Sequence, residues 1–284
     1  MSADIAVVHS RVRAEEKALF EALERRNLPY VGVDARRLYG FADAAPVRWR
    51  VGLNRELSLS RAVHAARTLE AQGLHMVNSA SATEVCGDKW RTTLALVRAG
   101  VPTPRSALAL TPEAALRVLD ELDYPAVFKP LTGSWGRRVS RINDREAAVA
   151  VLEHIEALPS PTDHLVYVQE LIRTPGRDIR VVVVDGTPLG AVHRTAREWR
   201  TNVARGAEVR PCPLTDELAR LATTAAVAVG ADLAGVDLVE AEDGRLLVLE
   251  VNAGVEFAGF QRALGGAVDV ADRIVDVLER RAAS

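Results

Sequence analysis

Short apolar runs alternate with helix-spaced apolar positions over about the first 80 residues, and this alternation constrains the fold more than any other feature. Ile5–His9 (IAVVH) reads as a buried parallel strand, because strands covered on both faces lose the apolar–polar alternation. Ala14, Ala18, Leu19, Ala22 and Leu23 then recur at helical spacing. Tyr30–Asp34 reads as a second strand, Leu57–Leu69 as a helix and Met76–Asn78 as a third strand. Strands that alternate with helices predict a parallel sheet with helices on its faces.

The rest of the chain changes character. Thr83–Ala99 is expected to be helical and to stop at Gly100, with Pro102 just beyond. A strand at Ala126–Lys129, a loop at Pro130–Arg137 and a strand at Arg138–Ile142 follow. Asp144 suits the N-cap of a helix running to Ala157, and Leu165–Leu171 is strand-like. Two Asp-Gly dipeptides sit between apolar runs, as in hairpins. Asp185-Gly186 lies between Ile179–Val184 and Leu189–His193, and Asp243-Gly244 between Leu233–Val239 and Leu246–Val251. Thr215–Val229 reads as a capped helix and Ala267–Arg281 as a closing one. The expected class is α/β (α+β).

Length and charge narrow the function. A chain of 284 residues suits one large or two to three small domains. With Lys plus Arg at 36, Asp plus Glu at 38 and a formal charge of −2, neither nucleic acid nor a membrane surface is the expected main partner. Cys86 and Cys212 have no spacing partner, so they form no disulfide framework or zinc site by themselves. The six histidines show no ligand spacing. No N-terminal leader and no run of about 18 apolar residues is visible. A cytoplasmic, reducing compartment is the expectation.

Several residues are candidates for chemistry. The loop Thr132-Gly133-Ser134-Trp135-Gly136-Arg137 lies between two expected strands. Glycines let backbone N–H groups approach phosphate oxygens, and Lys129 and Arg137 add charge. A Gly-rich hairpin turn has the same signature. It is not a Walker loop, since no Gly-Lys-Ser/Thr follows. Lys129 ends an apolar strand, where a phosphate partner or a snorkelling side chain would explain it. Lys89 is a less specific candidate, and by itself it reads first as an exposed helix residue pairing with Asp88 or Glu84. Asp237 lies inside an apolar strand, and Glu250 and Asn252 stand at i and i+2 on the next one. Pairing across the Asp243-Gly244 turn would gather three hard oxygen donors on one sheet face, a set that suits Mg²⁺. Leu249 is expected on the opposite, apolar face with Val236, Leu238 and Val251. Arg177, Arg180, Arg194, Arg197, Arg200 and Arg205 form either a solvated strand edge or an anion site.

These residues together resemble the ATP-grasp superfamily, its RimK-like branch, and within that the LysX/ArgX ligases. Those enzymes join an amino acid to the C-terminal glutamate of a small acidic amino-group carrier protein, LysW. The matching words are Cys86-Gly87-Asp88-Lys89-Trp90, Phe128-Lys129-Pro130 and Gly133-Ser134-Trp135-Gly136-Arg137. Gln169-Glu170, Pro175-Gly176-Arg177-Asp178-Ile179-Arg180-Val181, Trp199, Thr201-Asn202 and Ala204-Arg205-Gly206 continue the match. Val236-Asp237-Leu238, Glu250-Val251-Asn252 and Glu256-Phe257 complete it.

The resemblance implies an ATP-grasp fold. It places an N-terminal parallel-sheet domain at 1–84, a central subdomain with the phosphate loop at 85–168 and a C-terminal subdomain with the metal site at 169–284. Two antiparallel sheets would grip ATP. Lys89, Lys129, Arg180 and the loop Gly133, Ser134, Trp135, Gly136 and Arg137 would hold the phosphates. Gln169, Glu170 and Ile172 would line the adenine site, largely through backbone groups, and Asp178 would hold the ribose. Asp237, Glu250 and Asn252 would hold Mg²⁺. Arg194 and Asn202 would face the phosphates or the acyl phosphate, and Arg205 the substrate. Glu256, Gly259 and Phe260 would bound the amino-acid pocket, where Gly259-Phe260 looks like the glutamate-type motif rather than the 2-aminoadipate-type one. A homodimer or homotetramer is expected. A glutamate ligase acting on another protein tail or a small acid, and a non-catalytic nucleotide-binding module, are the rival readings.

Overall fold

Strand–helix alternation does build a parallel sheet in the computed structural model of the protein, which describes residues 4–133, 136–196 and 208–283. Its strands are β1 (Ile5–His9), β2 (Tyr30–Asp34), β3 (Val51–Asn54) and β4 (His75–Val77), in the order β2-β1-β3-β4. The expected third strand is therefore the fourth. β3 escapes the sequence pattern because it has four residues and Gly52 interrupts its apolar run. That glycine is required by close packing: a Cβ there would stand 2.3 Å from Met76 Sδ. Ala6 and Val8 pack on Ala65, Ala66 and Leu69 of α2 (Leu59–Ala71). Ile5, Val7 and Leu53 turn the other way, onto Leu19 and Leu23 of α1 (Ala14–Arg25).

The single helix expected over Thr83–Ala99 is two. α3 (Ala80–Gly87) stops at Asp88, whose side chain accepts a hydrogen bond from Arg91 N at 2.9 Å and so starts α4 (Lys89–Arg98). A side-chain cap satisfies an orphan N–H of the new helix, which makes the break inexpensive. At the break Lys89 N donates to Leu131 O at 3.0 Å and Asp88 bridges to Thr132, so the phosphate-loop candidate is fastened there.

A four-stranded antiparallel sheet follows, built from β5 (Ser106–Ala109), β6 (Ala126–Pro130), β7 (Ser140–Ile142) and β8 (Val166–Glu170) in the order β5-β8-β6-β7. Phe128, Ile142, Val166 and Val168 bury one face under Ala115 and Leu119 of α5 (Pro112–Leu122) and Ala148 and Leu152 of α6 (Arg145–Glu156). Strand alternation turns Lys129, Tyr167 and Gln169 to the opposite face. Asp144 caps α6 as expected, accepting from Ala147 N at 2.8 Å.

The third sheet is antiparallel, with β9 (Arg177–Val184), β10 (Thr187–Thr195), β11 (Glu208–Cys212), β12 (Leu233–Glu240) and β13 (Leu246–Asn252) in the order β11-β10-β9-β12-β13. Asp185 and Gly186 close a two-residue hairpin at φ 48° and 72°, the left-handed pair that a primed turn requires. Five residues, 241–245, link β12 to β13, more than a tight Asp-Gly turn needs. Ile179, Val181, Val183, Val236, Leu238, Val248 and Val251 bury one face beneath α7 (Asp216–Ala228). Of the other face, Val182, Val184 and Val192 pack against the N-terminal sheet together with Phe260 of α8 (Ala258–Ala263) and with α9 (Val270–Ala283). Asn78 pins this junction, donating to Leu233 O at 2.7 Å and to Ala253 O at 3.1 Å. No helix among the described residues is long and apolar enough to cross a membrane.

Candidate active site

The end of the third sheet that the N-terminal sheet leaves uncovered carries the charge. On β9, Asp178 and Arg180 follow the same face as Val182, and Arg194 on β10 lies across from Asp178. Asp237 stands opposite both Arg180 and Glu250, and Gly235 opposite Asn252. The acids expected to converge are therefore neighbours in register. A β-bulge beside Asp237 pairs Leu238 with Val248 and leaves Leu249 over. This corrects one expectation: Leu249 lines the cleft instead of the apolar face, because a bulge adds a residue and reverses the alternation.

Asp237 is 5% exposed and fully engaged. Arg180 grips it with two N–H groups, Nε to Oδ1 and Nη2 to Oδ2, the second at 2.7 Å. Arg194 adds a contact at 2.9 Å and Asn252 Nδ2 one at 3.3 Å. Burial alone would raise this carboxyl, but Arg180 and Arg194 outweigh it and hold it below its ordinary range. Asn252 Nδ2 also reaches Gly235 O at 3.4 Å, which turns the amide oxygen away from the strand. Glu250 is half-buried and pairs with none of the described residues. A carboxylate left in that state, an outward amide oxygen and a buried aspartate form an oxygen-only donor set that fits a hard divalent cation. The cation would take the place that Arg180 and Arg194 hold at Asp237. Among the described residues no group of three or more His, Cys, Asp or Glu is gathered for a metal, and the present set is two acids and an amide.

Across the cleft, Lys129 Nζ donates to Gln169 Oε1 at 2.6 Å. Gln169 Nε2 donates to Ser106 Oγ and Tyr167 Oη, each at 3.0 Å, and Tyr167 Oη meets Thr93 Oγ1 at 2.7 Å. Burial lowers the Lys129 ammonium to about 8, with the Lys89 charge adding to the effect and Glu250 and Asp237 opposing it. Lys89 Nζ donates to Gly133 O at 2.9 Å, so it leans over the loop. It does not pair with Glu84, which binds Arg67 and Arg91. Gly133 and Gly136 have φ of 126° and 62°, conformations that favour glycine and let the loop fold back.

A cleft of about 500 Å³ joins these parts. Lys89, Gly133, Arg180, Arg194, Glu250, Asn252, Glu256, Gly259 and Phe260 line it, and Lys129 and Asp237 lie close enough to interact with Glu250 and Arg194. Phe260 is both core and wall: it is 4% exposed, packs with Val192 and borders the cleft. A Cβ at Gly259 would meet nothing within 4 Å. Glu256 lines the cleft while pairing with Arg13 at 3.1 Å.

Other expected residues stand elsewhere. Gln169 is 2% exposed and its side chain is turned to Lys129. Glu170 accepts from Arg105 N at 2.8 Å, and neither it nor Ile172 lines the cleft. Asp178, expected at the ribose, has both oxygens engaged by Arg194 at 2.6 Å, because a buried carboxylate beside a buried guanidinium takes the bidentate pairing first. Arg137 is exposed and does not line the cleft. Ser134, Trp135, Asn202 and Arg205 lie outside the described residues. Cys86, which opens one of the family words, also lines the cleft, as do Glu15 and Glu56, which no sequence pattern singles out. Glu15 and Glu56 carry no local motif. Burial and the Glu250 charge push the Cys86 thiol up to about 12, so it is no nucleophile.

Known proteins share this architecture. The LysX preATP-grasp domain matches residues 5–85 and the RimK-like ATP-grasp domain residues 86–278. The glutamate–LysW ligase ArgX of Sulfolobus acidocaldarius is 32% identical over 277 residues, 97% of this chain and 98% of that protein. The α-aminoadipate–LysW ligase LysX of Saccharolobus solfataricus is 34% identical over 206 residues, 72% of this chain and 75% of its own. The crystal structure of a RimK domain ATP-grasp protein from Sphaerobacter thermophilus superposes with a TM-score of 0.77 at 27% identity, covering 97% of this chain and 99% of that one. With matched domains over residues 5–278 and two antiparallel sheets facing a charged cleft, the chain belongs to the RimK-like ATP-grasp family of ATP-dependent ligases.

Proposed function

We propose that the protein uses ATP and Mg²⁺ to join the amino group of an amino acid to the C-terminal glutamate carboxylate of a small acidic LysW-like carrier. The observation that carries this reading is the cleft itself. It sets cations from three elements (Lys89, Arg180 and Arg194) against Glu250 and Asn252, with Lys129 and Asp237 adjoining and no activated nucleophile among the described residues. Such a site suits chemistry done by positioning and charge. A carboxylate is a poor electrophile. In the proposed reaction the carrier's terminal carboxylate attacks the γ-phosphate, giving an acyl phosphate and ADP, and the amine then displaces phosphate. Lys89 and Lys129 bind phosphate oxygens, Arg194 stabilises charge at the acyl phosphate, and Asn202 and Arg205 keep the roles that the resemblance implies. Mg²⁺ at Asp237, Glu250 and Asn252 would neutralise phosphate charge. The units 1–84, 85–168 and 169–284 remain our working division.

Glutamate is the favoured amino acid, with 2-aminoadipate second, because Phe260 lines the cleft, where a ring in the amino-acid pocket would favour the shorter side chain. An apolar wall alone discriminates one methylene by only about 10- to 200-fold. ADP formation should require carrier and amino acid together, with kcat/KM higher for glutamate. ADP formation without a carrier ending in glutamate would refute the carrier assignment, and a higher value for aminoadipate would refute glutamate.

The Lys129 environment predicts a pH dependence. Its ammonium titrates at about 8 in the free protein, below the ordinary 10.5. Phosphate binds the charged form, so affinity is full below that point. Above it, binding must take up a proton, and affinity should fall about tenfold per pH unit. Calorimetric titration with ATP from pH 6.5 to 10 checks this. Lys129→Met should flatten the upper limb, and an unchanged slope in that variant would assign the titration to another group.

A further inference from the structure

The N-terminal sheet contributes to the cleft in a way that neither the motifs nor the family's phosphate and metal residues require. In the order β2-β1-β3-β4 the chain runs outward in opposite directions from β1 and β3. Such a reversal opens a crevice outside the carboxyl ends of the two strands, where ligands of open α/β sheets bind. Beyond β1 come Ser10 and the start of α1; beyond β3 come Arg55 and Glu56. Glu15, Glu56, Leu57 and Leu59 from this crevice line the same cleft as Arg180, Arg194 and Phe260.

Four acids line the cleft: Glu250 belongs to the cation set, and Glu15 and Glu256 are each held through one oxygen. Glu15 Oε1 accepts from Ala258 N at 3.2 Å, and Glu256 pairs with Arg13 at 3.1 Å. Glu56 is different. Its Oε1 accepts from Ser58 N at 2.8 Å and from Arg61 at 3.0 and 3.2 Å. Its Oε2 is buried with no hydrogen-bond partner among the described residues, and the residue is 7% exposed. Burial raises this carboxyl, but the Ser58 N–H, the neighbouring Ser10 hydroxyl and the Arg61 guanidinium outweigh it and keep the group ionised. An ionised oxygen shielded from water and left unpaired is costly, so a donor belongs beside it.

The chemistry of that donor follows from the reaction. ATP, the carrier's carboxylate and the acyl phosphate are all anionic and are repelled by Glu56. The incoming amino acid alone brings a cationic N–H donor. We propose that Glu56 binds the ammonium group of the amino-acid substrate. This rests on reading the cleft as a carboxylate–amine ligase site. The N-terminal sheet then holds the amino group beside the other two sheets; the ammonium gives up one proton to become the amine that attacks, and that proton leaves with the displaced phosphate.

Glu56→Gln keeps the size of the side chain and removes its charge. The KM for glutamate should rise roughly 10- to 100-fold, the range of a charge-assisted hydrogen bond, with the KM for ATP unchanged. Hydroxylamine carries no ammonium at neutral pH and traps an acyl phosphate as the hydroxamate. It should serve the variant as well as the wild type. Calorimetry gives a readout without turnover: glutamate should bind the wild type more tightly than glutarate, its counterpart without the amine, and the difference should collapse in the variant. An unmoved glutamate KM, or hydroxamate and amide formation falling together, would overturn the proposal. If the wild type forms no hydroxamate, the ligase reading fails, and the glutamate–glutarate comparison alone decides the role of Glu56. Glu56→Asp guards against misfolding, since it keeps the charge and should retain the preference for glutamate over glutarate.

Discussion

Glu250→Ala should lower carrier-dependent ADP formation by about 10³-fold, as loss of a group that organises charge at a transferring phosphoryl does, while the melting temperature stays nearly constant. The two halves of this expectation have separate causes. The loss follows from the donor set: with Glu250 gone, only Asp237 and Asn252 remain for the cation, and Asp237 must be shared with two arginines. The constant stability follows from Glu250 pairing with none of the described residues, so truncation strands no partner. Activity assays with a parallel thermal melt check both. Wild-type turnover in the variant would remove Glu250 from the metal set, and a large drop in melting temperature would show that its side chain holds the fold.

Asp237→Ala should behave differently, losing turnover and also about 3 kcal/mol of stability, as expected when one partner of a buried ion network is deleted. Arg194 would keep Asp178, but Arg180, whose side chain is only 16% exposed, would lose both of its ion contacts with Asp237. For a chain of this length that cost corresponds to a fall of roughly 5 °C in melting temperature. A second change, Arg180→Met, should recover part of the loss, because it removes the stranded charge. If Asp237→Ala melted like the wild type, the network would contribute nothing to the fold. The pH dependence carries the same sign: Asp237 titrates below its unfolded value, so its stabilisation is present above the unfolded carboxyl range and is lost as pH falls through the lowered folded value.

Much of this was legible in the residues. The parallel sheet declared itself through β1, whose apolar run is dictated by burial on both faces, and through β2, a half-buried edge strand beside it. The Asp185-Gly186 turn and the caps Asp144 and Thr215 were legible because they are local: a side chain or a left-handed dipeptide satisfies backbone groups only a few residues away. The approach of Asp237 to Glu250 and Asn252 needed only strand periodicity and one hairpin. Family words then carried Lys89 and the glycine loop beyond what periodicity supports.

Tertiary structure decided what non-local contacts control. The bulge that turns Leu249 into the cleft depends on pairing between strands, which no single strand's alternation records. The pairing of Asp178 with Arg194, and of Gln169 with Lys129, redirected side chains whose residue types suit nucleotide binding equally well. Glu56 stands in no motif at all; its unpaired oxygen exists only because β3 inserts beside β1 and ends at the cleft. The sequence by itself determined most of the elements, the family and a set of candidates for phosphate and cation, because spacing and residue type are local properties. Only the fold decided which of those groups are neutralised, which are buried and which remain open to a ligand, because desolvation and pairing depend on neighbours far away along the chain.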